Sequence, residues 1–170
     1  MINKKTYYIW GLFSPKETEY LYFMKDKVQS KLKSPCFDIH ITLAGPYSNI
    51  DKTFISKLKC FAKINSSIIL YANGYCFKQE MFKSFYISIK NSLPLKELRK
   101  NIAKLKKFDL DTNYSPHISL CYGHHPIREK KELILKLPKF NKLIRISKIA
   151  LVEINKDINQ WNILKYFDLN

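Results

Sequence analysis

Residues 40–43 read HITL and residues 117–120 read HISL, and these two matching tetrapeptides decide the fold that we predict. Each tetrapeptide places a histidine and a hydroxyl residue two positions apart, so that both side chains lie on one face of a β-strand. The aliphatic residues between and after them then face the opposite side. We therefore predict two strands, each packed on a core through one face and presenting an imidazole and a hydroxyl to a cleft.

This pairing of side chains suits phosphate ester chemistry. Histidine titrates near neutral pH, so one neutral and one protonated imidazole can serve as base and acid in the same site. The hydroxyls of Thr42 and Ser119 can donate hydrogen bonds to phosphate oxygens. We identify His40, Thr42, His117 and Ser119 as the candidate catalytic residues. No group of acidic, histidine or cysteine residues has metal-ligand spacing, so we predict no metal and no cofactor.

The rest of the sequence alternates between strand and helix patterns. Ser14 and Glu17 form a capping box at the first predicted helix. A short strand, a helix and a pair of strands occur in the same order twice, with a histidine motif in each, which indicates one domain (1–170) of two pseudo-repeated lobes. The patterns predict strands over 5–13, 38–44, 67–77, 81–90, 116–122, 142–154 and 160–168, and helices over 15–33, 51–62, 94–107 and 126–136.

The amino-acid composition indicates a globular domain and the kind of partner that it binds. The chain has 170 residues, 46% of them hydrophobic, which is enough for a sizeable core. Its formal net charge of +16 favours an anionic partner, but only three of its thirty basic residues are arginine. An AT-rich genome would produce the same lysine excess, and binding of duplex DNA usually needs arginine. We predict a phosphate-bearing substrate and no binding to duplex DNA.

The sequence shows no membrane span, no signal peptide and no closely spaced cysteine pair, and these features bear on the protein's cellular location and on the redox state of its thiols. No apolar run reaches the length of about 18 residues that a membrane span needs, and residues 1–5 lack the pattern of a signal peptide. We therefore expect a cytoplasmic monomer that does not bind membranes. The four cysteines are widely spaced, so we expect free, buried thiols, with Cys121 facing the core.

The two motifs, about 75 residues apart, resemble those of the 2H phosphoesterase superfamily, and in particular plant and yeast cyclic phosphodiesterases. The resemblance implies an α+β fold of two antiparallel-sheet lobes, with outer helices and a central cleft. It also implies hydrolysis of a nucleotide 2′,3′-cyclic phosphate or an ADP-ribose 1″,2″-cyclic phosphate to a monoester. Further features that carry it are Trp10, Pro116 before the second motif, Tyr122 after it, Trp161, and the terminal Leu169 and Asn170.

The resemblance also suggests residue roles. It implies that Tyr122 contacts phosphate or sugar, although an ordinary strand aromatic is the alternative. For Trp10 it implies stacking on a base or shaping of the cleft, with core packing as the alternative. For Lys83 it implies contact with phosphate, with a solvated surface position as the alternative. His124 and His125 match no family pattern and are expected in a loop.

The acid and base roles come from the resemblance alone, which makes His117 the general base and His40 the general acid. Two other functions remain open. One is a viral or phage immune-evasion phosphodiesterase that cleaves 2′,5′-oligoadenylate or cyclic oligonucleotide signals. The other is a non-catalytic RNA-binding module on the same scaffold.

Overall fold

The computed structural model describes residues 5–170, so residues 1–4, used in the signal-peptide prediction, lie outside the described residues. Seven strands and four helices confirm the predicted α+β fold class. The strands are β1 (Thr6–Phe13), β2 (Ile41–Tyr47), β3 (Ile68–Phe77), β4 (Phe85–Ile89), β5 (His117–Cys121), β6 (Asn141–Ile154) and β7 (Asn162–Asp168). The helices are α1 (Pro15–Gln29), α2 (Lys52–Ile64), α3 (Leu93–Lys104) and α4 (Ile127–Lys136).

All seven strands belong to one antiparallel sheet, in the order β2-β1-β6-β3-β4-β5, with β7 also paired to β6. The long strand β6 joins its two halves. Its first part pairs with β3 from Asn141 to Ile146, and its second part pairs with β1 and with β7. The two predicted sheets are thus halves of one sheet, and their pseudo-repetition as lobes stays a prediction.

The two motif strands, β2 and β5, lie at the two ends of the strand order and come into contact with each other. Helix α1 packs against β5, and α3 packs against β2, so each helix covers the motif strand of the other half. This packing of each helix on the opposite half brings the two motif strands together around the space between them. The motif residues that alternation predicts to be inward are all almost fully buried, namely Ile41, Leu43, Ile118 and Leu120.

Helix α1 begins where the sequence pattern predicts but ends earlier. Its capping box forms as predicted, with the Ser14 side chain accepting from the Glu17 N–H and the Glu17 carboxylate accepting from the Ser14 N–H. The helix ends at Gln29 rather than at residue 33. Leu32 is nevertheless buried against the same core as Leu21, so the apolar spacing continues after the helical hydrogen bonds stop.

Two predicted strand boundaries are wrong. The strand predicted over 38–44 begins only at Ile41, directly after His40, and continues through Gly45 and Pro46 to Tyr47. Gly45 has φ +118°, and a Cβ there would lie 2.7 Å from the Tyr8 ring, so glycine lets the strand bend beside β1. The strand predicted over 81–90 begins at Phe85, because residues 81–83 form a 3₁₀ turn.

The cysteine prediction is partly wrong. All four thiols are free, and Cys121 is buried as predicted, but Cys36 and Cys60 are exposed and Cys76 is half-buried. Cys60 lies on the outer side of the amphipathic helix α2, away from the apolar face that packs on the core. None of the helices within residues 5–170 combines the length and hydropathy that a bilayer crossing requires.

Candidate active site

A cavity of about 260 Å³ lies between the two motif strands. All four candidate catalytic residues line it, which is the arrangement that strand alternation predicts. The complete lining is Tyr8, Trp10, His40, Thr42, Phe82, His117, Ser119, Tyr122, Ile154 and Trp161.

His40 occupies the more enclosed side of this cavity. Its ring is stacked on the indole of Trp10, with the ring centres 3.6 Å apart and the planes 6° from parallel, and the residue is only 7% exposed. Its Nδ1 lies 2.7 Å from the carbonyl oxygen of Asp38. Because a carbonyl can only accept, Nδ1 carries the proton and Nε2 is the free acceptor. Burial lowers the pKa of His40 to about 3, so the imidazole of the ligand-free site is neutral at pH 7.

His117 repeats this arrangement from β5 in a more open position. Its Nδ1 lies 2.8 Å from the carbonyl oxygen of Ser115, again two residues upstream. Its ring meets Tyr86 edge-on at 5.3 Å, where His40 has a parallel indole instead. Burial lowers the pKa of His117, and the positive charge of Lys83 lowers it further. The hydrogen bond between Nδ1 and the Ser115 carbonyl oxygen raises the pKa and offsets part of this effect.

The two hydroxyls differ in their partners. The Ser119 hydroxyl donates to the carbonyl oxygen of Phe82 at 3.1 Å, whereas the Thr42 hydroxyl makes no hydrogen bond to any described residue. Thr42 can therefore donate to a ligand at once, and Ser119 must first turn away from Phe82. Tyr122 stands beside Ser119 with its ring almost completely buried, and burial raises the pKa of its phenol.

Solved structures share this architecture over nearly the whole chain. Escherichia coli LigT complexed with 3′-AMP matches with a TM-score of 0.64 and 13% identity, covering 98% of this chain and 99% of LigT. TT0787 of Thermus thermophilus matches with a TM-score of 0.62 and 12% identity, covering 96% and 97%. A structure described as a phosphoesterase matches with a TM-score of 0.63 and 12% identity, covering 98% and 99%.

The chain has the 2H phosphoesterase fold. No protein-family model matches its sequence, and neither does any curated protein. At such low identity the likeness establishes the fold, and the chemistry depends on the residues of the site itself.

Aromatic side chains form the rest of the cavity wall. Trp161 lies 6.0 Å from both Trp10 and Phe82, measured between ring centres. Sequence reasoning assigned no site role to Phe82, Trp161 or Tyr8. Phe82 is 51% exposed in a 3₁₀ turn, and a large exposed aromatic beside a motif strand is the signal that could have identified it.

Trp10 packs in the core and also lines the cavity, whereas stacking of a base on it stays a prediction. It is 1% exposed and packs on Ala150 and Val152, as a core residue does. It also lines the cavity and supports His40, so one of its faces is already occupied by the imidazole. Its indole Nε1 is buried and has no hydrogen-bond partner among the described residues.

The structure does not bring Lys83 into this cavity. Lys83 lines an adjoining one, which shares Thr42 and His117 with the first. His124 and His125 lie between β5 and α4, as expected of loop residues, and His125 Nε2 is 3.3 Å from the Cys121 sulfur. Within residues 5–170 no three histidine, cysteine or acidic side chains are grouped as metal ligands would be.

Proposed function

We propose that this protein is a phosphodiesterase that opens a nucleotide cyclic phosphate to a phosphomonoester by two-histidine acid–base catalysis. The candidate substrates are 2′,3′-cyclic phosphates and ADP-ribose 1″,2″-cyclic phosphate. One observation carries the proposal. His40 and His117 line the same cavity, each with Nδ1 held by a backbone carbonyl two residues upstream and with Nε2 left to exchange a proton.

The proposed reaction needs one proton acceptor and one proton donor. Nε2 of His117 takes a proton from water as the water oxygen attacks phosphorus, and Nε2–H of protonated His40 gives its proton to the departing ribose oxygen. One P–O bond forms and one P–O bond breaks, so the ring opens to a monoester. The two histidines exchange protonation states, and proton transfer with solvent restores them.

The substrate itself supplies the charge that this cycle requires. Burial favours the neutral form of both imidazoles, as the lowered pKa values indicate. A phosphodiester anion between them favours the protonated form and raises both pKa values. The role assignment taken from the resemblance makes His40 the imidazole that takes up this proton when substrate is bound, with His117 neutral as the base. In this proposal the hydroxyls of Thr42 and Ser119 donate to the two non-bridging oxygens, Ser119 after turning away from the Phe82 carbonyl.

The aromatic wall supports a nucleotide as substrate. Phe82 and Trp161 offer ring faces on which a base can stack. The likeness to LigT points the same way, since structures of that protein hold 3′-AMP, ATP, phosphate or NADP+. We further propose a cytoplasmic, monomeric enzyme that does not bind duplex DNA or membranes.

The test is an activity screen with EDTA present throughout. It compares nucleoside 2′,3′-cyclic phosphates, ADP-ribose 1″,2″-cyclic phosphate, 2′,5′-oligoadenylate and cyclic dinucleotides. We expect turnover of at least one cyclic phosphate by the wild type and its loss in His40→Ala and His117→Ala. His124→Ala, an exposed histidine close to the second motif, is the matched control and should retain activity. Turnover only after addition of a divalent metal would overturn the two-histidine mechanism.

The same screen distinguishes the two alternative functions. Preferential cleavage of 2′,5′-oligoadenylate or of cyclic dinucleotides would favour the immune-evasion function. The second cavity beside His117 favours this candidate, because it leaves room on the other side of the reacting phosphate. Tight binding of single-stranded RNA with no turnover of any member would favour the non-catalytic RNA-binding module.

A further inference from the structure

The second cavity, of about 480 Å³, adjoins the first one and contains none of the residues of its aromatic wall. Thr42 and His117 line both cavities, so the two spaces meet at the proposed position of the reacting phosphate. The other walls come from β2 and from residues 108–115, which follow α3. A further phosphate carried on the ribose of the reacting phosphate could extend into this second cavity.

Arg99 is the buried cation of this cavity. It projects from α3 and is only 8% exposed. Its Nε donates to the carbonyl oxygen of Leu43 at 2.9 Å, and its guanidinium carbon lies 3.2 Å from the centre of the Tyr114 ring. The Tyr114 hydroxyl in turn donates to the carbonyl oxygen of Thr42 at 2.7 Å. The guanidinium is therefore held rigidly against the strand that carries the first motif.

No carboxylate of the described residues is directly paired with the Arg99 guanidinium, although Asp111 lies close enough to favour its charged form. Within residues 5–170 its two terminal nitrogens make no hydrogen bond, and no carboxylate lies within ion-pair distance of them. These terminal N–H groups therefore remain able to donate to an anionic ligand. The planar fork of arginine matches two phosphate oxygens, and this chain has only three arginines among thirty basic residues. Lys83 adds a second positive charge to the same lining.

Two carboxylates limit where an anion can lie. Asp109 and Asp111 line the same cavity from the exposed loop after α3, and the charge of Asp111 favours the protonated form of Arg99. Their repulsion would keep an anion at the end formed by Arg99 and Lys83. Sugar hydroxyls or amino groups of a base are the complementary partners for the two carboxylates.

We propose that the second cavity is a phosphate subsite, so that the preferred substrate is an oligonucleotide with a further phosphate beside the reacting one. This inference rests on the proposed function, because it takes the phosphate between His40 and His117 as the reacting group. It adds Arg99 and Lys83 as residues that select substrate length.

Turnover of two matched substrates tests this directly. The substrates are adenosine 2′,3′-cyclic phosphate and the dinucleotide ApA that ends in a 2′,3′-cyclic phosphate. We expect the wild type to prefer the dinucleotide in kcat/KM by about tenfold, as one charge-assisted contact to phosphate would give. Arg99→Gln and Lys83→Gln should each lower this preference. Lys96→Gln, an exposed change of the same charge on α3, should keep it.

Binding separates this inference from the proposed function. The probes are adenosine 3′-phosphate and ApA with a 3′-phosphate and a 2′-O-methyl group at the internal linkage, measured by isothermal titration calorimetry. Arg99 supports packing, so circular dichroism must show its variant folded; Lys83 is half-exposed and provides an independent variant. Tighter dinucleotide binding that depends on Arg99 and Lys83, without any turnover, would support the subsite and reject the enzyme. Turnover with no preference in either assay would overturn the subsite alone.

Discussion

The two halves of the site carry nearly identical tetrapeptides in different surroundings. His40 lies directly before β2, stacked on Trp10 and closed from solvent, and the hydroxyl beside it has no partner within residues 5–170. His117 lies within β5 next to a second cavity, and the hydroxyl beside it is bonded to Phe82. The repeated motif thus fixes which groups are present, whereas residues distant in sequence determine how readily each imidazole takes up a proton.

The largest effect should come from removing either imidazole. We expect His40→Ala and His117→Ala each to lower kcat by roughly 10²–10⁴-fold with little change in fold, because each group acts in the transition state. The double variant should lose much less than the product of the single losses, as for two groups that act as a unit. Steady-state kinetics with circular dichroism measure both quantities. Near-normal activity in either single variant would reject the mechanism.

The second prediction distinguishes the two halves by role. A substrate with an activated leaving group needs little protonation, so it should recover much more of the loss in His40→Ala, by about 10²-fold, than in His117→Ala. A bell-shaped pH profile should lose its basic limb in His40→Ala and its acidic limb in His117→Ala. Preferential rescue of His117→Ala would reverse the roles, and equal rescue would show that leaving-group protonation is not divided between them as proposed.

The third prediction compares the two hydroxyls. Thr42→Val should lower kcat by about 10²-fold, the usual cost of losing one donor to developing negative charge. Ser119→Ala should cost less, because the Ser119 proton is already shared with the Phe82 carbonyl in the ligand-free site. Single-turnover rates of the two variants on the same substrate provide the measurement. A larger loss in Ser119→Ala would mean that Ser119 turns to the phosphate and Thr42 does not.

The smallest effect concerns stability and pH. The pKa of His40 is lowered to about 3 in the fold, so between that value and about 6.5 the unfolded chain binds more protons. Folding stability from neutral His40 is therefore present above pH 6.5 and is lost as the pH falls. Urea unfolding should show that His40→Gln loses about 1 kcal/mol less stability than the wild type between pH 7 and pH 5.5. An identical loss in both proteins would show that His40 is not buried in the neutral form.

Alternation along the two motif strands was enough to predict which residues meet at the cavity and which face the core. It could not predict the stack of Trp10 on His40, because thirty residues separate them and only the β1–β2 pairing brings them together. The carbonyls of Asp38 and Ser115 were missed because they are backbone groups without a side-chain signal. For Lys83 the resemblance suggested contact with phosphate, with a solvated surface position as the alternative, and the structure places it at the 3₁₀ turn 81–83 in the lining of the adjoining cavity.

The pairing of β1 with β6 has a consequence for biosynthesis. Residues 6–13 find their partners at residues 146–154, so β1 has no neighbour on that edge until most of the chain has left the ribosome. At translation rates of about 5–20 residues per second, this leaves the edge open for roughly 7 to 30 s. The exposed backbone groups of β1 could pair with another nascent chain during that interval. When new chains are started faster than earlier ones are completed, many chains carry an unpaired β1 at the same time. Aggregation through this strand is then the first route by which the protein is lost.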